Sequence, residues 1–165
     1  MGEHVTRPDS ITNTASFSRS DIVIASPKAT FALPEAQRGL WAAAGGLPRV
    51  VRIFGMQLAT DLALTGRILD AAEVQHHGFA RVSRTPESLL PEALELAAKI
   101  ADMSPDAVIV SRAGLRQAWE TASVERSTQI IDERFARALL TGDNFGIGIR
   151  AFAEKKKPEW VPSKM

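Results

Sequence analysis

Asp21-Ile22-Val23-Ile24-Ala25-Ser26-Pro27, then Ala29-Thr30-Phe31-Ala32-Leu33-Pro34-Glu35, is the stretch that decides the architecture. Each half is a short apolar run rich in β-branched or aromatic residues and closed by proline, which reads as a buried strand. Outward from them the pattern changes period. Gly45-Gly46 opens a short helix through Val51 and Phe54, ended by Gly55, and Met56 to Thr65 continues with Leu58 and Leu62 on one face. Gly66 is placed as a left-handed cap. Asp70-Ala71-Ala72-Glu73 is a capping-box pattern, and that helix stops at Gly78. Phe79 to Val82 reads as a short edge strand.

The second half reads as helices. Thr85-Pro86 and Ser104-Pro105 are cap-plus-proline starts. The first leads through Leu90, Ala93, Leu94, Ala97 and Ile100, the second to Trp119. Ser123 caps a helix carrying Ile130, Ile131, Phe135 and Leu139; Asp143 caps a last one through Phe152, ending in Lys155-Lys156-Lys157-Pro158. Two short strands do not make a stable sheet alone, so helices must cover them. The expected class is α/β, mostly helical, with three stretches. Residues 1–20 form a poorly ordered segment or one foreign to the rest, 21–84 the strand-bearing core, and 85–165 a helical region.

Composition bounds the function. The chain has 165 residues, 45% hydrophobic and 24% charged, as expected for a globular protein. Its 20 basic and 19 acidic residues leave no large field for nucleic acid or an anionic membrane. With no cysteine there is no disulfide, thiolate catalysis or Cys-ligated metal. No apolar run approaches the roughly 20 residues of a membrane helix. The first 20 residues lack an apolar secretory h-region.

Glu35 is the candidate catalytic residue. It leaves an apolar strand, where burial favours the neutral carboxyl that can deliver a proton. The plain alternative is a surface or capping glutamate. Small residues from Ala42 to Gly46 allow close backbone approach before a helix, for an anion or for tight packing; no P-loop lysine accompanies them. His76 and His77 point about 100° apart on a helix, which disfavours one shared metal. Arg49, Arg52 and Arg67 read as helix-surface charges, and Lys155 to Lys157 suit the negative end of a helix dipole. The terminal Ser163-Lys164-Met165 differs by one residue from the Ser-Lys-Leu peroxisomal address. Its alternative is a frayed basic tail.

These motifs, in this order, resemble the crotonase (enoyl-CoA hydratase/isomerase) family over about Ser20 to Trp160. The resemblance rests on Asp21 to Ser26, Phe31 to Glu35, Gly39-Leu40, Gly45 to Arg49, Leu64-Thr65-Gly66-Arg67, Ala71 to Glu73, His77-Gly78-Phe79 and Ala151 to Pro158. It implies the C-terminal part of a β-β-α spiral with a helical trimerisation region. It further implies Glu35 as catalytic acid/base, with Phe152 and Lys155 lining a CoA site. Substrates would be acyl-CoA thioesters, hydrated or shifted in their double bond, with no metal or redox cofactor and CoA only as part of the substrate.

The implied partners are its own copies, as a trimer or hexamer, or a full-length paralogue in a heteromer. The implied compartment is the peroxisome, with the cytoplasm as alternative, and the setting fatty-acyl or secondary-metabolite (toxin) metabolism of fungal type. The chain departs from the pattern where the family has its glycine-rich loop and second glutamate. Ala15 stands at the glutamate and Ile11 to Asn13 at the glycines, and Ile147 replaces the glutamate before Gly148. The expectation is an N-terminally shortened member, without the part supplying the oxyanion donors. Its alternative role is that of an inactive paralogue acting as an oligomer partner.

Overall fold

The computed structural model describes residues 11–14, 18 and 20–165, with residues 11–13 described for their backbone only. By its internal contacts the chain divides into two compact units, residues 1–95 and 96–165.

Among the described residues, the first unit holds four short strands in two parallel pairs. Strand β1 (Ile11–Asn13) pairs with β3 (Thr30–Ala32), in register Ile11 to Thr30 and Asn13 to Ala32. Strand β2 (Ile24–Ala25) pairs with β4 (Arg81–Val82). All three expected strands are present, each shorter than the run read for it. Ile11–Asn13 is itself a strand within the segment read as poorly ordered. Next to it Thr14, fully buried, donates from its hydroxyl to the Ala32 carbonyl at 3.1 Å. Ala15, in the same segment, lies outside the described residues.

Helix α1 (Gly46–Thr65) follows the expected break. Gly55 has φ 77° and ψ 166° inside it, so the chain forms two helical stretches joined by a kink. Val50, Phe54, Ala59 and Leu62 are buried along it and pack with Val23, Phe31, Leu33, Leu69, Val74 and Phe79. Only glycine adopts that backbone cheaply, while a Cβ at residue 55 would meet nothing within 4 Å. Gly55→Ala is therefore expected to destabilise the fold by about 1–3 kcal/mol through backbone strain alone. Urea unfolding should show an earlier midpoint at unchanged slope.

Helix α2 (Ala71–His76) begins with the full capping box. Asp70 accepts from the Glu73 N–H at 2.8 Å and Glu73 accepts from the Asp70 N–H at 3.1 Å.

Helix α3 (Leu89–Ala101) follows the Thr85-Pro86 signal after one opening turn. Thr85 Oγ1 accepts from the Ser88 N–H at 3.2 Å and Ser88 Oγ accepts from the Thr85 N–H at 3.0 Å, the reciprocal cap expected at this start. Helix α4 (Pro105–Thr121) starts as read, with Ser104 accepting from the Ala107 N–H. Ser123 likewise caps α5 (Val124–Ile131). The helix expected to run on through Leu139 is interrupted by a π-turn at Asp132–Ala136 before α6 (Arg137–Thr141).

Helix α7 (Asp143–Glu154) corrects another expectation. Gly142 is its cap, and Asp143 makes no capping bond because its carboxylate is engaged by Lys164 at 2.7 Å. The second unit buries mainly polar side chains: Asp106, Ser127 and Asn144 are its described residues under 9% exposed. Leu115, Val124, Ile149 and Phe152 stay exposed.

Candidate active site

Glu35 does not sit on the strand. After β3 the chain passes Leu33 and Pro34, and Glu35 opens a single 3-10 turn over Ala36–Arg38. Its carbonyl accepts from the N–H groups of Arg38 (2.9 Å) and Leu40 (3.0 Å), and Gly39 closes the turn in the left-handed region. Glu35 is half-buried, with Oε2 shielded from solvent.

Two anchors fix the turn. Upstream, Phe31 and Leu69 exchange backbone hydrogen bonds at 2.9 and 2.8 Å beneath fully buried side chains. Downstream, the Gln37 amide donates to the Thr65 carbonyl at 3.2 Å, lying over Gly66, where a Cβ would collide with it. The glycine that caps α1 thus also admits the side chain that holds the Glu35 turn. Leu40 and Trp41 follow at once, 61% and 69% exposed. An anchored, part-shielded carboxylate followed directly by exposed apolar side chains can move a proton at a carbon acid.

The small-residue stretch before α1 is occupied by the chain's own cation. Ala44 and Gly45 both have positive φ, and Arg49 reaches back to donate to the Ala44 carbonyl at 3.0 Å. Close approach is therefore used for packing. Arg67 pairs with Glu73, and with Asp61 at 3.7 Å, as a surface charge. His77 packs its ring edge-on to Phe54, centroids 5.8 Å apart, and His76 stands edge-on to His77.

Phe152 and Lys155 share one end of α7 in the second unit. Phe152 is 87% exposed, and Lys155 closes the helix with φ 54°, its N–H bonded to the Phe152 carbonyl at 3.2 Å. Lys164 and Met165 lie on the same unit's surface. The Lys164 ammonium, by its hydrogen bond first and its charge second, holds the Asp143 carboxyl below the usual carboxylate range, and its own pKa is raised in return. Sequence reading missed the buried carboxamide of Asn144, which bonds Asp106 and Val161. Asp106 and Asn144 stand 38 positions apart, a separation no local spacing rule covers.

Residues 17–163 match the family described as enoyl-CoA hydratase/isomerase. Among curated relatives, a mevalonyl-coenzyme A hydratase of Aspergillus fumigatus is 45% identical over 145 residues, covering 88% of this chain and 54% of the relative. One of the same description from Beauveria bassiana is 42% identical over 148 residues, covering 88% and 52%. A solved enoyl-CoA hydratase/isomerase from Mycobacterium paratuberculosis superposes with a TM-score of 0.83 at 29% identity, covering 92% of this chain and 60% of that one. The chain spans about half the length of the curated relatives it matches. It belongs to the enoyl-CoA hydratase/isomerase family, and its fold is the α/β, mostly helical C-terminal part of the crotonase spiral.

Proposed function

We propose that this member of the enoyl-CoA hydratase/isomerase family acts on a CoA thioester as a hydratase, with Glu35 moving the proton at C2. The observation that carries the reading is the Glu35 carboxylate, part-shielded on a turn tied to β3 and to Thr65. In the dehydrating direction Glu35 takes the C2 proton and the freed electron pair forms the C2–C3 double bond. The C3 hydroxyl then departs with the proton Glu35 has received. One water leaves, the carboxylate is regenerated, and neither metal nor redox cofactor enters the balance.

The two fungal relatives support a 3-hydroxy-3-methyl thioester of the mevalonyl type as substrate. Phe152 and Lys155 suit the adenine ring and a phosphate of CoA, offering a flat apolar face and a cation at one helix end. The exposed Leu115, Val124 and Ile149 favour a homo-oligomer, trimer or hexamer, because the helical unit buries little apolar surface by itself. Ser163-Lys164-Met165 favours the peroxisome, in fatty-acyl or secondary-metabolite metabolism.

Purified protein given mevalonyl-CoA and straight-chain 3-hydroxybutyryl-CoA is expected to dehydrate the branched thioester with a kcat/KM at least about ten-fold higher. A preference for the straight chain would refute the substrate class. A second reading rests on Ala15, where the resemblance places a second glutamate: the chain assembles with a complete paralogue and does not itself turn over. That reading requires no turnover of either thioester by the chain alone, together with co-elution with the paralogue.

A further inference from the structure

We propose that the terminal tripeptide is latched onto the helical unit, so that its reading by a receptor requires the tail to be released. The proposal rests on the reading of Ser163-Lys164-Met165 as a peroxisomal address and adds its regulation.

The latch has three points. Trp160 donates from its indole N–H to the Asp102 carbonyl at 2.9 Å, while Lys157 reaches the Asp102 carboxylate at 3.2 Å. The second point is the strongest. Asn144, 2% exposed, accepts from the Val161 N–H and donates to the Val161 carbonyl, both at 3.0 Å, like a one-residue strand partner. The same amide donates to buried Asp106 at 3.0 Å, so the carboxamide is held from behind before it grips the tail. The third is the 2.7 Å pair between Lys164, the central residue of the tripeptide, and Asp143. Between these points Val161, Pro162, Lys164 and Met165 wall a cavity of about 260 Å³ that Asp106, Thr141 and Asn144 line from the other side.

Reach makes the latch consequential. Val161 and Lys164 are three residues apart, and three extended residues span at most about 11 Å. A receptor that encloses the tripeptide, taking the lysine into its own contacts, must first displace Asp143. It then abuts the helical unit unless Asn144 also lets go. Both steps oppose binding to the folded chain and neither opposes binding to a free peptide of the same sequence.

The test measures affinity of the peptide-binding domain of a peroxisomal tripeptide receptor for three partners. These are a free peptide of residues 156–165, the full chain, and the full chain with Asp143→Asn, which keeps the tripeptide intact. The peptide is expected to bind at least about ten-fold tighter than the full chain, as loss of two backbone hydrogen bonds to a buried amide implies. Asp143→Asn should recover about two- to five-fold of that, the range of an exposed ion pair.

Equal affinity of peptide and chain would overturn the latch while leaving the address intact. A peptide that does not bind would overturn the address and the regulation with it. Hydrogen exchange provides an independent check without receptor. The Val161 amide must exchange more slowly in the folded chain than in the peptide, and equal rates would overturn the latch whatever the receptor does.

Discussion

Replacing Glu35 by glutamine is expected to lower kcat for thioester dehydration by about 10²–10⁴, with little change in KM and no loss of fold. Glutamine keeps the shape of the side chain and removes its capacity to take a proton, so binding and chemistry separate. The turn is tied down through its backbone and through Gln37. Its hydrogen bonds run from the Glu35 backbone carbonyl to Arg38 and Leu40, and from Gln37 to Thr65, and all survive the change. Thermal unfolding should therefore match the parent, while single-turnover dehydration slows. Glu35→Asp distinguishes position from charge: it retains the base and withdraws it by one methylene, so an intermediate rate is expected. Equal rates for the parent and Glu35→Gln would remove Glu35 from the reaction and leave the family membership untouched.

Local chemistry was readable from the chain, because caps and breaks act over a few residues. Gly66 sits in the left-handed region, Asp70 and Glu73 close their reciprocal bonds, Ser104 and Ser123 cap their helices, and Gly55 divides α1. Each of these needs only its neighbours. The misreading at Asp143 has the opposite property. Asp143 has the right residue type at the right place for a cap, but Lys164, 21 residues later, takes its carboxylate.

The pairing of Ile11–Asn13 with β3 was hidden for a different reason. Parallel strands are joined by long crossovers, and their register is set by the sheet, so a short polar-flanked run carries little signal of its own. At the candidate site, Glu35 was found from its apolar approach. What holds it, the Gln37 bond to Thr65 over Gly66, joins residues 28 apart and has no sequence mark.

The first unit should tolerate the loss of its acid far better than the loss of the ring beneath it. Phe31→Ala is expected to destabilise that unit by about 3–5 kcal/mol. Phe31 is fully buried, meets Phe79 edge-on with centroids 5.6 Å apart, and lies under the backbone exchange with Leu69. Phe79 in turn packs on Phe54, centroids 5.3 Å apart, so the cavity opens at the centre of an aromatic group that cannot collapse without moving α1. Phe152→Ala is the control. It removes the same side chain from a position 87% exposed, and in dilute protein without ligand it should shift stability by less than about 0.5 kcal/mol.

The measurement is amide exchange at Leu69, whose N–H bonds the Phe31 carbonyl at 2.8 Å, recorded across a urea series. Activity separates the two ways Phe31 can matter. If the ring only keeps the unit folded, cooling the variant until it is fully folded restores the parent rate. If it also holds the Glu35 turn, four residues on, kcat stays low in folded protein while KM is unchanged. The direct continuity from β3 through Pro34 to Glu35 favours the second outcome.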